Sequence, residues 1–577
     1  MQQMRQPGPA AVAAGSGMAP TVAPVIVPAA LPAAASGRTA PRPHPAAASD
    51  RLGSTLARLL FRSTLYRRMV LDGAVPAEVL RPFPWHTPGD RAQAEAILRD
   101  EFTFFGRRVG FGAVPWSVLP PGASLAAALH GFAWLPDLKA VGSEEARVRA
   151  RALVLGWIAA HRRWSALAWS PAVLGERLAA WLAAGDFLLA GADGDERARF
   201  LESAGRQARH LARINARGKG GGDDGFAAAT GEIAAALCLG VVPLQPALDR
   251  LQRALGRQLA ADGGHVSRNP AVHLQAFRRL VDIRAALVEA GEPVPAPLAA
   301  AIEQMAPLLR ALRHGDGRLA LFHGAKESDR TLIDSLLAAS RIGAPALASA
   351  PASGFERLAA GRTVLLADVG PPPPHGHQAP LAFELSCGRE RLIVNCGAHG
   401  GDDPRWRAAL ASTPAHSTLT VEDARVGGAR WFGARPVRVE CVRQEADGAL
   451  WLEASHDGYR PRFGVLHRRR LYLAHAGSDL RGEDTLEGRR GRAFQLRFHL
   501  HPDVQATAAA DGTSVALRLA SGAQWTFVAV GGQITVEDST YLGTTDQPRR
   551  AQQIVVSGRT AKGGARVKWA LRQGDGS

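Results

Sequence analysis

Cysteine is scarce in this chain, and long apolar runs are missing. Only four cysteines occur among 577 residues, and they are too scattered for a disulfide framework or a paired-cysteine metal site. No run of about 18 uninterrupted apolar residues is present, which argues against a membrane span. The apolar stretch 22–35 is broken by prolines and preceded by Arg5 alone, so it makes a poor secretory signal.

Lysine is scarce as well. The formal net charge of +17 is carried almost wholly by arginine, because the chain contains only five lysines. Arginine presents a planar fork that matches carboxylate, sulfate and phosphate, so the charge indicates an anionic partner such as an acidic glycan or nucleic acid. No zinc-finger, RRM or KH pattern accompanies the charge, so we do not expect nucleic acid. Biased codon usage is the competing explanation for the arginine content.

The composition of the first part of the chain changes after residue 48. Residues 1–48 are Ala/Pro-rich and almost uncharged, which predicts a disordered tail. Across 49–345, apolar residues recur at spacings of three and four, which is typical of helices. Short breaks at Gly, Pro or Asp separate the runs, and Asp195 is the predicted N-cap of one helix. Successive helical hairpins predict an incomplete α/α toroid. The tryptophans of its first half are predicted to be mostly core.

The period of the sequence changes after an Ala/Pro/Ser stretch at 343–354, which we interpret as a linker. Beyond it, apolar and polar residues alternate in many short runs, which predicts strands over 350–577. Ala446-Asp447-Gly448 and Ser521-Gly522 supply hairpin turns between pairs of them. So many short strands at hairpin spacing predict a large antiparallel β-sandwich.

Several short segments stand out along both parts of the chain. They are Leu129–Leu135 (LHGFAWL), Trp169-Ser170-Pro171 with Arg177 and Trp181, Asp262–Pro270 (DGGHVSRNP), His375-Gly376-His377 followed by Leu381-Ala382-Phe383, Ala415–Leu419 (AHSTL), and Ser455–Tyr459 (SHDGY). In this order and at these separations, they resemble the heparinase II/III-like family of polysaccharide lyases. The resemblance covers most of the chain after about Arg51.

This resemblance implies a fold and an activity. The expected fold is an incomplete α/α toroid followed by a large antiparallel β-sandwich. The expected activity is the eliminative cleavage of an acidic, uronate-containing polysaccharide, without an organic cofactor. The family resemblance implies a bacterial cell-envelope or periplasmic location, whereas the poor secretory signal leaves a cytoplasmic location as the alternative.

The histidines of two segments suggest a site on chemical grounds. His375 and His377 stand two residues apart, which on an extended segment places both rings on one side. His416 precedes an alternating strand, and a fold of two sheets could bring it beside them. Two or three converging imidazoles suit a metal site or an acid/base pair. The alternative is that His375 and His377 lie in an exposed Pro-rich loop.

The resemblance assigns roles to these positions. It implies that His375 is catalytic and that His377, Asn395 and His416 occupy the places of the metal ligands, with zinc as the metal. Asn395 stands where the family has aspartate, and a neutral amide ligates zinc poorly, so zinc binding is expected to be weak or absent. The adjacent Cys396 should face away from Asn395 on a strand.

Two further family positions are changed. The resemblance places a tyrosine where Val272 stands, and valine cannot transfer a proton. The stretch 223–227 replaces an N-N-H segment that contacts the substrate carboxylate. His265, Arg268 and His273 are the candidate substitutes, with helix capping or a solvated face as the alternative. Tyr459 borders the cleft or packs at a sheet corner.

Two functions therefore follow from the sequence. The first is a polysaccharide lyase that acts on an acidic polysaccharide, with His375, His265 and His273 as candidate catalytic residues. The second is a catalytically degenerate glycan-binding or cell-envelope protein that retains the lyase fold. The lyase is the leading interpretation, and the loss of the tyrosine, the aspartate and the N-N-H segment is the reason for the alternative.

Overall fold

A computed structural model describes residues 71–104, 107–110, 123–216, 225–424 and 436–574, together with Phe61, Ser63, Tyr66, Trp116 and Val426. The predicted disordered tail, 1–48, lies outside the described residues. Among the helices in these ranges, none is long and apolar enough to cross a membrane.

The first part of the chain is built from helices joined by short connections. Those of the described residues are α1 Arg91–Leu98, α2 Ala123–Gly131, α3 Leu135–Val141, α4 Glu144–Ala160, α5 Pro171–Ala183, α6 Gly185–Leu189, α7 Gly194–Ala216, α8 Gly225–Leu239, α9 Leu244–Gln258, α10 Pro270–Glu289, α11 Ala296–Ala311 and α12 Arg330–Ser340.

Two local predictions for this part are wrong. The chain forms a hairpin, β1 Glu101–Phe104 and β2 Arg107–Gly110, inside the region predicted to be wholly helical. The alternation of Phe102 and Phe104 around Thr103 favours a strand. The carboxylate that caps α7 belongs to Asp193, which accepts the N–H of Glu196 at 2.8 Å, and not to Asp195. As predicted, most of the tryptophans lie in the core, while Trp85 and Trp164 are half-buried at its edge.

Helix α8 lies at the centre of the helical part and contacts α5, α7, α9 and α10. Nearly all of its residues are buried. A Cβ atom on Gly231 would come within 2.4 Å of the Cα atom of Gly175 in α5, so the two helices meet backbone to backbone. The Ala/Gly-rich sequence of α8 permits this close packing.

The second part of the chain forms two antiparallel sheets. Its strands are β3 Ser349–Ala350, β4 Phe355–Ala360, β5 Thr363–Asp368, β6 Phe383–Cys387, β7 Glu390–Val394, β8 Leu419–Val421, β9 Val439–Ala446, β10 Ala449–His456, β11 Val465–Leu473, β12 Asp479–Gly488, β13 Ala493–Leu500, β14 Gln505–Ala508, β15 Ser514–Arg518, β16 Gln524–Val530, β17 Gln533–Tyr541, β18 Arg549–Arg559 and β19 Ala565–Gln573. Two short helices, α13 Pro404–Leu410 and α14 Arg460–Phe463, interrupt them.

The sheets face each other across an apolar core. One has the order β17-β18-β13-β7-β6-β5-β4-β3, with β8 also paired to β13, and the other β14-β15-β16-β19-β12-β11-β10-β9. Residues of both sheets form one buried cluster, in which the rings of Phe498 and Trp569 lie 4.9 Å apart. The predicted antiparallel β-sandwich is therefore present.

The helical part packs against the first sheet. Leu308 in α11 shares a buried cluster with Val364 and Leu366 of β5, so every residue of β5 is buried. The segment predicted to be a linker is tightly held here, because Ser353 N donates to Asp262 Oδ2 at 2.8 Å. Backbone groups that cross a buried boundary need such partners.

Candidate functional site

Two of the predicted histidines form a hydrogen-bonded pair. His416 Nδ1 donates to the carbonyl oxygen of Ser412 at 2.9 Å, so its Nε2 carries a lone pair when the ring is neutral. His377 Nδ1 lies 2.9 Å from this Nε2 and must therefore be the donor. The remaining nitrogen of the pair, His377 Nε2, is left as a hydrogen-bond acceptor or a base.

Burial keeps both rings neutral. Loss of solvent lowers the pKa of His416 to about 4. Burial, followed by the nearby His416 and His323, lowers the pKa of His377 well below its ordinary value. A neutral pair agrees with the direct hydrogen bond between the rings, but an imidazole with so low a pKa is a weak base.

Residues that follow α9 and α11 surround this pair. Nε2 of His323 lies 3.0 Å from Oδ2 of Asp368, and Arg268 pairs with the same carboxylate. Arg268 Nε also donates to the carbonyl oxygen of Ser353 at 2.7 Å. Asn269 caps α10 through Oδ1 and donates from Nδ2 to the carbonyl oxygen of His323 at 3.0 Å. Arg268 thus holds the helical part to the first sheet.

His375 does not share a side with His377, so that prediction is wrong. The segment is not extended: four consecutive prolines lead into a turn, in which Gly376 N donates to the carbonyl oxygen of Pro373 at 3.0 Å. His375 is exposed on the turn, whereas His377 is buried. The alternation of side chains holds only for a strand.

The side chain of Asn395 is hydrogen-bonded to Glu384 and Ser417 and not to the histidine pair. Its Nδ2 donates to Glu384 Oε1 at 3.0 Å, and its Oδ1 accepts the N–H of Ser417 at 3.0 Å. No group of three or more His, Cys, Asp or Glu side chains suitable for a metal is found in the described parts of the chain. The residues present therefore do not fit a zinc site, which needs three or four ligands.

The two remaining histidine candidates are buried and hydrogen-bonded within the protein. His265 is buried, and its Nδ1 lies 2.8 Å from Ser267 Oγ. His273 Nε2 donates to the carbonyl oxygen of Met305 at 3.1 Å, and burial lowers its pKa to about 4. Val272 is half-buried at the start of α10. Tyr459 lies at a buried corner, where its hydroxyl donates to the carbonyl oxygen of Leu419 at 2.9 Å.

Sequence reasoning missed Glu384, His314, His323 and Asp368. Glu384 is fully buried and accepts hydrogen bonds from Asn395 and from His314 Nε2, the latter at 2.9 Å. One signal was available, since a glutamate inside the apolar strand Phe383–Cys387 needs a buried partner. No sequence pattern around His314 or His323 indicates that these residues supply polar contacts to the strands.

Comparisons with known proteins agree with this architecture. The family model described as "Heparinase II/III-like, C-terminal" matches residues 343–570. FtsZ-localized protein C of Caulobacter vibrioides is 34% identical over 522 residues, which cover 85% of this chain and 89% of that protein.

Solved structures are similar over nearly the full length. Heparinase III aligns with a TM-score of 0.70 at 13% identity and covers 92% of this chain and 91% of its own. The heparan sulfate lyase HepC from Pedobacter heparinus aligns with a TM-score of 0.58 at 16% identity, covering 92% of this chain and 90% of its own. At these identities the likeness shows the fold alone.

Proposed function

This chain belongs to the heparinase II/III-like family, and on that premise we propose that it is a catalytically silent member that binds an acidic polysaccharide. The observation that carries the proposal is that the expected proton-transfer groups are either replaced or already hydrogen-bonded inside the fold. Elimination needs a group that removes the proton beside the carboxylate and a group that protonates the leaving oxygen. Val272 cannot do either, and the hydroxyl of Tyr459 is buried and already bonded.

The histidine pair does not replace these groups. His377 offers an unprotonated Nε2, but the low pKa of the ring makes it a weak base. Asn395 is neutral and supplies no charge, and its amide is already hydrogen-bonded to Glu384 and Ser417. Arg268, which lies near this pair, is already paired with Asp368, so it is not free to stabilise the developing negative charge, a contribution that usually supplies the largest rate gain.

Support for binding comes from charge and from fold. The net charge of +17 is carried by arginine, which matches carboxylates and sulfates with paired hydrogen bonds. A structural neighbour over 92% of the chain is a heparan sulfate lyase. A protein that keeps this fold and loses the proton-transfer groups retains a surface for an acidic glycan.

Eliminative cleavage is the second candidate, and the exposed ring of His375 favours it. This imidazole lies on a turn two residues from the buried pair, where a substrate can reach it. One experiment separates the two functions. The protein is incubated with a panel of uronate polysaccharides while ultraviolet absorbance of the unsaturated product is followed, and binding of the same polymers is measured at low and moderate salt.

We expect salt-sensitive binding without a rise in absorbance. A steady rise that His375→Ala abolishes would establish the lyase instead. Failure to bind any polymer of the panel at low salt would overturn the proposal of a glycan-binding protein.

The relative from Caulobacter vibrioides supports a proposal about location. Its name states localisation with FtsZ, and the similarity spans 89% of its length. We propose that this chain also localises with FtsZ, in place of the periplasmic location implied by the lyases. A fluorescent fusion imaged together with labelled FtsZ tests this, and a diffuse or periplasmic signal would contradict it.

A further inference from the structure

Arg177 differs from the other buried arginines of the described chain. Each of the others forms an ion pair with a carboxylate: Arg268 with Asp368, Arg278 with Asp282, Arg391 with Asp316, and Arg469 with Asp484. Arg177 is fully buried in α5 and has no carboxylate partner there. Burial lowers its pKa well below the ordinary value.

Neutral groups hold most of this guanidinium. Arg177 Nε donates to Gln207 Oε1 at 2.7 Å, and Nη1 donates to the carbonyl oxygen of His130 at 3.0 Å. Its Cζ lies 4.1 Å from the centre of the Trp157 ring. Nη2 is buried and has no hydrogen-bond partner among the described residues.

Two imidazoles complete a basic cluster. His130 Nδ1 accepts the indole N–H of Trp157 at 3.0 Å, so its Nε2 carries the proton of the neutral ring. The rings of His130 and His161 lie 4.8 Å apart. Nε2 of His161 is a second buried nitrogen that lacks a partner within the described ranges.

The ionisable groups of this cluster all carry positive charge when they are protonated. Burial, followed by His161 and Arg177, lowers the pKa of His130 to about 3. Burial, followed by Arg177, lowers that of His161 to about 4. All the charged groups that contribute to these two shifts are themselves basic. A buried cation without a counter-charge is strongly unfavourable, whereas a bound anion removes that penalty.

We propose that Arg177, His130 and His161 bind one oxyanion group, a carboxylate, sulfate or phosphate. Arg177 Nη2 and the two Nε2 atoms donate to it, once His161 carries its proton there. His161 lies at the side of the cluster nearest the surface, because it is half-buried at the C-terminal end of α4 and the exposed Arg162 and Arg163 follow it. The site lies in the helical part and does not depend on catalysis at His375.

This proposal also gives a role to two sequence segments that the histidine pair leaves unused. His130 belongs to Leu129–Leu135, and Arg177 follows Trp169-Ser170-Pro171. The hydrogen bond from Arg177 Nη1 to the carbonyl oxygen of His130 joins them. The cluster thus assembles from residues 47 positions apart.

The test measures anion binding by the full chain. Sulfate, inorganic phosphate and glucuronate are titrated separately against chloride at constant ionic strength, with thermal unfolding and calorimetry as readouts. Arg177→Met removes the guanidinium but keeps most of the side-chain volume. Arg199→Met is the matched control, because Arg199 lies on α7 and is half-exposed, with Asp195 as its partner.

We expect at least one of the three anions to raise the Tm of the wild type and of Arg199→Met equally, and that of Arg177→Met much less. The anion that acts identifies the acid group. Calorimetry should show binding at least about tenfold weaker for Arg177→Met, because charge-assisted hydrogen bonds are lost. The test compares the shifts that the anion causes and not the Tm values without anion, because Arg177→Met also leaves Gln207 Oε1 and the carbonyl oxygen of His130 without their donor.

A second variant covers the case in which Arg177→Met fails to fold. His161→Asn keeps the guanidinium and should also weaken sulfate binding. Binding by the wild type should be weaker at pH 8 than at pH 5, because the anion raises the pKa of His161 and its proton is lost as pH rises. Equal Tm shifts in all folded variants, or no shift in the wild type with any of the three anions, would overturn the site.

Discussion

The carboxamide of Asn395 donates from Nδ2 to Glu384 Oε1 at 3.0 Å, deep between the helical part and the first sheet. Both side chains are fully buried. This contact explains why a position that the resemblance assigns to a metal ligand serves here as the partner of a buried carboxylate. It also predicts what happens if the family residue is restored.

We expect Asn395→Asp to lower the free energy of unfolding by about 3 kcal/mol or more at pH 8, because it sets two carboxylates side by side in the interior. Glu384 raises the folded-state pKa of the new acid, so the loss appears above the unfolded-state pKa and shrinks as pH falls below the folded-state value. Urea unfolding at pH 5 and pH 8 measures this. Asn395→Ala removes the hydrogen bond without adding charge, so its smaller loss should vary much less with pH.

Zinc content provides a separate check of the same region. His377 and His416 are bonded to each other and the Asn395 side chain faces Glu384, so we expect far less than one zinc per chain after zinc loading. Elemental analysis of the wild type tests this. Stoichiometric zinc that His416→Ala removes would show that the site rearranges around a metal.

The ion pair between Arg469 and Asp484 indicates that the protein loses stability in acid. Burial raises the pKa of Asp484, but Arg469 and His467 outweigh it and hold the pKa at about 2. A depressed pKa contributes stability that is present above the unfolded-state pKa and is lost as pH falls through the folded-state value. We expect about 2 kcal/mol to disappear between pH 4 and pH 2. Unfolding of Asp484→Asn should show a shallower loss over that window, although the variant is less stable at pH 7.

The contact between α5 and α8 predicts a strong effect of a small substitution. A Cβ atom on Gly175 would lie 2.2 Å from the carbonyl oxygen of Ala227, so Gly175→Ala should lower stability by about 3 kcal/mol. Gly256 in α9 is the control, because a Cβ atom there meets nothing within 4 Å. Gly256→Ala should raise stability by about 0.5 to 1 kcal/mol. Equal effects in chemical denaturation would contradict the backbone contact.

Any lyase activity should depend on His375. If the wild type cleaves a uronate polymer, His375→Ala should lower turnover by on the order of a hundredfold, the scale of general acid/base catalysis. Val272→Ala should change binding or stability and leave turnover nearly intact. If His375→Ala cleaves equally fast, the proton-transfer role lies with another residue.

Local patterns predicted most of the architecture because they depend on near neighbours. The change from helical to alternating periodicity near 343–354 matches the step from α12 to β3. The centre of β18 departs from alternation, because Gln553, Ile554, Val555 and Val556 are all buried. Every residue of β5 is also buried, because α11 packs on the outer face of that strand.

The sequence by itself determined that a mainly helical part precedes a part built of strands, the family, and the residue types at the altered lyase positions, because periodicity and motifs are written along the chain. Only the tertiary structure decided which partner each buried polar group has. His377 and His416 stand 39 residues apart, and Arg177 contacts the carbonyl oxygen of His130 across 47. A buried donor or acceptor must be satisfied by whatever the fold brings near, and no local pattern specifies that neighbour.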